Sequence, residues 1–371
     1  MRPVTETELA EVVRDAAGPL RIVGGGTRGI GPCSGEVLET GGLSGISLYE
    51  PGALTLVAGA GTPLAQVESV LAGERQRLAF EVPDLRGLLG VSGNSTLGGV
   101  VAANASGPRR VQVGACRDAL LGVRFVDGRG AVIRNGGRVM KNVTGYDLVK
   151  LLAGSHGTLG VISEVAFKVQ AVPEAEATLV KPGLTVAQAL AALTRALGSP
   201  YDVTGAAFAD GLALVRLEGM AGSVAYRSRE IDRLLGGGWE AVSGADLWRG
   251  VRDVTAFAGK PGAVWRVSLR PSDAPGFVAA LGSALGSVVA DAIYDWGGGL
   301  VWLRLEEAGD HGLIRRLLAA TGGHATLIRG SEALRRMVPA FQPEAPALAA
   351  LTRGLRAQFD PRGILNPGRM G

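Results

Sequence analysis

Apolar positions along the chain come in short runs broken by glycine in the first half, and in longer helical and strand-like periods in the second. Residues 5–16 carry Leu9, Val12 and Val13 with helical character, and Thr5 is placed to cap the first turn. A short strand at 20–23 runs straight into Gly24-Gly25-Gly26-Thr27-Arg28-Gly29-Ile30-Gly31. Residues 54–58 read as a buried strand, and 62–71 as a helix with Pro63 in its first turn. A second glycine-rich tract spans 90–107. Strands at 120–126 and 131–134 flank Asp127-Gly128-Arg129-Gly130, a hairpin signal. Residues 147–153 then read as a helix and 160–169 as a strand.

Beyond Pro173 the glycine loops give way to a unit that reads strand, helix, strand, turn, strand, helix, strand, and it occurs twice. The first copy places a strand at 177–180, a helix at 186–197, strands at 203–208 and 212–217, and a helix at 224–235. The second places strands at 263–269, 288–294, 300–305 and 325–328, with helices near 277–285 and at 313–320. Such βαββαβ halves predict an α+β unit, one antiparallel sheet with helices on one face, like two ferredoxin folds side by side. A last helix, 347–358, leads to the tail Asn366-Pro367-Gly368-Arg369-Met370.

Composition narrows the function. At 371 residues the chain exceeds one ordinary core. Its 58 glycines sit in a chain that is 47% apolar without a Gly-X-Y period, so they belong to a folded domain with many turns or a backbone-lined ligand site. A net charge of +4 with no basic run argues against nucleic acid. Cys33 and Cys116 lack CxxC spacing, and His156, His311 and His324 are scattered, so no metal site is expected. The opening residues do not read as a signal peptide, and the uncharged stretch 274–290 contains Pro275 and reads as helix then strand; a cytoplasmic protein without membrane insertion is the expectation.

The chemistry lies in the glycine tracts. Gly24-Gly25-Gly26-Thr27-Arg28-Gly29 matches G-x-G-x-x-G after a strand, but Pro32, Gly35, Gly41 and Gly42 prevent the helix that a Rossmann site requires. A nest of main-chain N–H groups facing phosphate oxygens is the better reading. In Ser92-Gly93-Asn94-Ser95-Thr96-Leu97-Gly98-Gly99, Ser95 or Thr96 is expected to cap a short helix whose free N–H groups face an anion, with Gly98 and Gly99 permitting close backbone approach. Gly154-Ser155-His156-Gly157-Thr158-Leu159-Gly160 is a third such tract. Three tracts in one half point to a large phosphate-bearing cofactor.

Several stretches together resemble a known family. They are Gly107-Pro108-Arg109-Arg110, Arg117-Asp118 with Leu121-Gly122, Gly136 through Leu148, Asp295-Trp296-Gly297-Gly298, Gly322-Gly323-His324-Ala325-Thr326 and the tail from Asn366 to Met370. The chain is similar to the PCMH-type FAD-binding domain of vanillyl-alcohol-oxidase and para-cresol-methylhydroxylase type flavoproteins, and within that family to the E-type FAD-binding subunits of bacterial glycolate oxidase. The resemblance implies a two-subdomain FAD-binding domain at 1–173, a ferredoxin-like domain at 174–335 and a returning tail at 336–371. It further implies that Gly24, Gly25, Gly26, Thr27 and Arg28 wrap the FAD pyrophosphate, with Thr96, Gly98, Gly99 and Asn104 on its other side. Gly157, Gly160 and Ile162 would contact the adenosine end, and Asn366 would lie by the isoalloxazine. The FAD is expected to be non-covalent, since the first loop has Thr27 and Arg28 where relatives carry a linking histidine and the second has no cysteine.

The histidine-rich segment of related hydroxy-acid dehydrogenases is missing. Arg266, on one strand face with Ser268, and His324 are the remaining candidates for holding a carboxylate and taking a proton. The resemblance therefore implies electron relay or assembly beside a homologous catalytic flavoprotein subunit and an iron-sulfur subunit of a glycolate dehydrogenase, with membrane association through those partners. Two alternatives stand: that this subunit itself oxidises glycolate or a similar acid, or that it is a scaffold without flavin.

Overall fold

The computed structural model describes residues 1–138, 145–285, 289–307 and 309–370. Residues 139–144 of the family stretch Gly136 through Leu148 and Val288, where a strand was expected to begin, lie outside them.

A helix at Glu6–Asp15, its first turn capped by the Thr5 hydroxyl accepting from Glu8 N at 3.1 Å, packs Leu9 and Val13 onto a small parallel pair, β1 (Leu20–Val23) and β2 (Glu36–Glu39). These two strands pair across the first glycine loop with no helix between them. Next come β3 (Ile46–Glu50), β4 (Thr55–Gly59), β5 (Gln76–Leu78), β6 (Leu120–Val126), β7 (Val132–Gly136) and β8 (Val161–Ala171). They form an antiparallel sheet in the order β3-β4-β8-β6-β7, with β5 also on β8. The β6–β7 hairpin forms as expected, because Asp127 Oδ1 accepts from the N–H groups of Arg129 and Ala131, both at 2.9 Å. The helices Leu64–Gly73 and Leu97–Ala102 bury Val67, Leu71, Val100 and Val101 against Leu56, Val123, Phe125 and Phe167 of this sheet.

The second half builds one eight-stranded antiparallel sheet from β9 (Ala175–Pro182), β10 (Val203–Ala209), β11 (Leu212–Gly219), β12 (Glu240–Val242), β13 (Ala263–Ser268), β14 (Val289–Asp295), β15 (Leu300–Leu305) and β16 (His324–Arg329). The order is β12-β9-β11-β10-β14-β15-β13-β16, so each copy has the ferredoxin arrangement, and the copies join where Phe208 pairs with Tyr294. The helices Val186–Leu197, Ala221–Leu234, Ala274–Leu285 and Gly312–Ala319 cover one face, closing a core around Leu193, Trp265, Phe277 and Leu318. Three elements here escaped the sequence pattern: β12, which has only three residues, a helix at Glu332–Met337, and a helix at Ala245–Asp253. That helix sets Trp248 and Val251 on the opposite face, where Leu85 and Leu88 from the first half also pack. The sheet is thus sandwiched between its own helices and the glycine-rich half.

Candidate cofactor site

Where β1 ends, the chain turns through Gly24–Gly25–Gly26–Thr27–Arg28, and none of these five N–H groups has an acceptor among the described residues. A run of open main-chain donors in a cleft is costly unless an anion or water takes it up. The second glycine tract meets this loop from across the cleft. A Cβ on Gly25 would lie 1.5 Å from the Asn94 carbonyl oxygen, and one on Gly24 would lie 2.3 Å from Thr96 Oγ1. These glycines are therefore required by the contact of one loop with the other. Gly98 is likewise closed off on the protein side, 2.8 Å from Ala60 Cβ, so it lets the helix approach β4's end rather than a ligand.

The second loop corrects one expectation. Thr96 occupies the cap position of the helix Leu97–Ala102, but its hydroxyl makes no capping bond, and Ser95 Oγ instead accepts from Arg28. The first two helical N–H groups are not free for an anion, since Leu97 N donates to Thr62 O at 3.1 Å and Gly98 N to Ala60 O at 2.7 Å, whereas Gly99 N has no acceptor among the described residues. What faces the cleft is the Thr96 hydroxyl, buried and without a partner.

The third tract and the tail close the cleft. Asn366 Oδ1 accepts from Ile22 N at 2.7 Å, its Nδ2 donates to His156 O at 2.8 Å, and its own N–H donates to Leu20 O at 2.9 Å. One side chain thus ties β1 to the third tract. A cleft of about 960 Å³, counting its open mouth, is lined by Gly24, Gly25, Gly26, Thr27, Arg28, Thr96, Gly98, Gly99, Gly157, Gly160, Ile162 and Asn366. The sequence reading overlooked Thr40, His156 and Arg369, which also line it. Arg369 sits in the tail stretch already singled out, and His156 was the bulkiest side chain of its tract, so both had a signal; Thr40 had none.

The lining carries Arg21, Arg28 and Arg369 and no carboxylate. Burial pulls the Arg28 guanidinium below its ordinary range, while it is held by Ser95 Oγ and by Pro83 O at 2.7 Å. Burial, helped by Arg369, pushes His156 down to about 4, so its imidazole is neutral at physiological pH. A positive wall, five open amides and an orphaned hydroxyl fit an anionic dinucleotide.

Residues 1–136 match the family model described as FAD binding domain. Glycolate oxidase subunit GlcE of Escherichia coli K12 is 36% identical over 340 residues, covering 91% of this chain and 88% of that protein. The chain belongs to the GlcE family. It is a FAD-linked oxidoreductase component by that membership. Glycolate oxidase subunit GlcD of Bacillus subtilis 168 is 42% identical over 85 residues, 23% of this chain and 18% of that one. The solved structure of alkyldihydroxyacetonephosphate synthase superposes with a TM-score of 0.70 at 18% identity, covering 99% of this chain and 76% of that one, a likeness of fold.

Not every expected site residue of this GlcE-family chain meets the cleft. Asn104, with a left-handed φ of 45°, turns away, and its Oδ1 accepts from Arg117 N at 3.0 Å. Arg266 and His324 lie on β13 and β16, where His324 pairs with Ser268 on the sheet side facing the first half. They belong to the seam between the halves. There the family stretches find their physical reason: Gly107 O accepts from Trp296 Nε1 at 3.1 Å, and Arg109 donates to Glu218 at 2.9 and 3.0 Å. Arg216 reaches Glu81 at 2.8 and 3.1 Å, and Arg77 reaches Glu218 at 2.6 Å. Burial opposes ionisation of Glu218, but Arg109 and Arg77 outweigh it and hold the carboxyl at about 2. Among the described residues, no group of three or more His, Cys, Asp or Glu gathers as a metal site.

Proposed function

We propose that this chain is the FAD-holding subunit of a glycolate (2-hydroxy acid) dehydrogenase complex, relaying electrons beside a homologous catalytic flavoprotein subunit and an iron-sulfur subunit. The observation that carries the reading is the run of five unsatisfied amides from Gly24 to Arg28 opposite the unpartnered Thr96 hydroxyl, in a chain matching a GlcE protein nearly end to end. Bound FAD would supply a two-electron acceptor able to release electrons singly. The five amides, with Arg28 and Arg369, would hold the diphosphate; Thr96 and Gly99 would close its other side. Gly157, Gly160 and Ile162 would border the adenosine end, and Asn366 would fix the position of the ring through its bonds to Ile22 and His156.

In this reading residues 1–173 act as the cofactor domain, 174–335 as the covering domain and 336–371 as the tail that completes the site. The protein would work in the cytoplasm and reach a membrane only through its partners; no helix among the described residues is long and apolar enough to cross one. Co-purification from the native source, with partners identified and flavin counted per chain, tests the reading. Recovery of the chain without flavin and without a related flavoprotein subunit would overturn it.

A further inference from the structure

The helix that leads into the tail, Pro346–Phe359, buries none of its 14 residues. Among the described residues, every other helix of eight or more residues buries at least two side chains. Its inward stripe, Ala349, Thr352, Arg356 and Phe359, is only half-buried. Leu348, Leu351 and Leu355 recur at the i, i+3, i+7 spacing of a packing stripe, yet they are 52%, 68% and 43% exposed. Ala347, Ala350 and Gly354 beside them are exposed too. A surface helix ordinarily turns polar residues outward; this one presents its leucines, an apolar face that nothing among the described residues covers.

The face is held in place and carries no charge. Gly128 N donates to Phe359 O at 2.7 Å, Arg129 Nη1 to Gln358 O at 2.6 Å, and Arg356 Nη2 to Met370 O at 3.3 Å. Ahead of the helix, Phe341 meets the His156 ring edge-on, with centroids 4.9 Å apart. Glu344 Oε1 is taken up by the Thr352 hydroxyl at 3.1 Å. At about 100° per residue, Arg353 lies roughly half a turn around from all three leucines. Two copies of the stripe can therefore meet without like-charge repulsion. Its spacing is also its own complement. Reversed about a two-fold axis near Leu351, it sets Leu348 against the partner's Leu355 and Leu351 against the partner's Leu351, with the two helix dipoles antiparallel. The small side chains of Ala347, Ala350 and Gly354 leave room for close approach.

We infer that Pro346–Phe359 is the seat of a second copy of this chain, paired antiparallel through Leu348, Leu351 and Leu355. A helix of this length is about 21 Å long and about 10 Å across, so two such faces bury roughly 400–600 Å² together, below the ~1,200 Å² at which stable interfaces begin. The dimer is therefore weak and forms with concentration. Pairing of this kind needs neither a cofactor nor another subunit. It has a consequence for the cofactor cleft all the same: His156 and Arg369 line that cleft, and the helix adjoins the first through Phe341 and the tail beside the second through Met370, so the clefts of both copies lie beside the helix pair.

Sedimentation velocity of the full chain as purified, loaded from about 5 to 500 µM, tests this. The expected result is a weight-average mass that climbs from one chain toward two across that range, while Leu351→Glu stays at one chain throughout. Because Leu351 is 68% exposed, Leu351→Glu should keep the parent's melting temperature and flavin content, so that a lost dimer is not a lost fold. Mild oxidation of Leu351→Cys should give a disulfide-linked dimer across the axis. Arg353→Cys, on the far side of the helix, should give no more than the background set by Cys33 and Cys116 in the parent. A parent that remains monomeric at the highest loading overturns the assignment, as does a Leu351→Glu variant that dimerises like the parent, or Arg353→Cys cross-linking as readily as Leu351→Cys. A parent that is monomeric alone but co-purifies with a different flavoprotein subunit, which Leu351→Glu loses, would assign the face to that subunit and overturn the pairing of copies.

Discussion

Replacing Gly25 with alanine tests the loop-to-loop contact that shapes the cleft. The added Cβ would fall 1.5 Å from the Asn94 carbonyl oxygen, whereas real contacts of this kind stay beyond 3.0 Å, so the loops must part by about the difference. A shift of that size breaks N–H···O bonds made at roughly 2.9 Å. If two such bonds to a diphosphate are lost, each worth about 1.5–3 kcal/mol when the acceptor is charged, FAD affinity falls by roughly 3–6 kcal/mol, or two to four decades. Gly26→Ala is the control, because nothing lies within 4 Å of its Cβ and only the φ of +70° is strained, at about 1–2 kcal/mol. The assay is fluorescence titration of flavin-stripped protein with FAD, with the ratio of flavin to protein absorbance after gel filtration as a second readout. A Gly25→Ala dissociation constant within threefold of the parent, or one no weaker than that of Gly26→Ala, would refute the reasoning.

Other outcomes follow from the seam and the tail. Glu81→Gln leaves the buried Arg216 without its carboxylate and should lower stability by about 3–5 kcal/mol in urea unfolding; Glu81→Leu with Arg216→Met should recover much of that loss. Asn366→Leu removes the bonds to Ile22 and His156 and should reduce flavin retention and destabilise by roughly 2–3 kcal/mol, seen in the same titration and unfolding curves. Two buried groups should oppose each other between pH 4.5 and 6.5. His156, depressed to about 4, takes up protons more readily when unfolded, so its share of stability is present above about pH 6.5 and lost on acidification. Asp295, raised to about 7, contributes stability that is present below the unfolded value near 3.8 and lost as pH rises. Each amounts to roughly 3–4 kcal/mol at most, so Asp295→Asn should make unfolding more acid-sensitive than in the parent and His156→Phe less so, as followed by denaturant melts at pH 5 and 7.

Much of the fold could be read from local pattern. Elements set by short-range chemistry are present where they were expected, such as the Thr5-capped helix and the Asp127 hairpin, because their determinants lie within a few residues of each other. The duplicated ferredoxin pattern was legible for the same reason: each strand and helix carries its own period. The three-residue β12 and the helix Ala245–Asp253 were not, since a strand that short carries no period. The helix did carry a period, with Leu247, Trp248 and Val251 at helical spacing, Asp246 in its first turn and Arg252 in its last, and it was missed because it stands outside the repeated unit. The destination of the glycines was also hidden. Gly24, Gly25 and Gly98 looked like ligand clearance, yet their neighbours are Thr96, Asn94 and Ala60, partners distant in sequence that only the fold brings near.

That displacement changes what the glycines mean for the cofactor. A loop that is glycine because a ligand touches it can drift when the ligand leaves. A loop that is glycine because another loop presses on it is held by the protein itself. Gly24 and Gly25 rest on the second tract, Gly157 lies where a Cβ would come within 2.7 Å of Asn366 Nδ2, and Asn366 is in turn bonded to β1. The three tracts and the tail therefore brace one another around open N–H groups, so the donors are already aimed when the anion arrives. Preorganisation of this kind lessens the ordering penalty on binding. In the proposed reading it would let the site hold a large cofactor with neither a helix dipole nor a linking side chain.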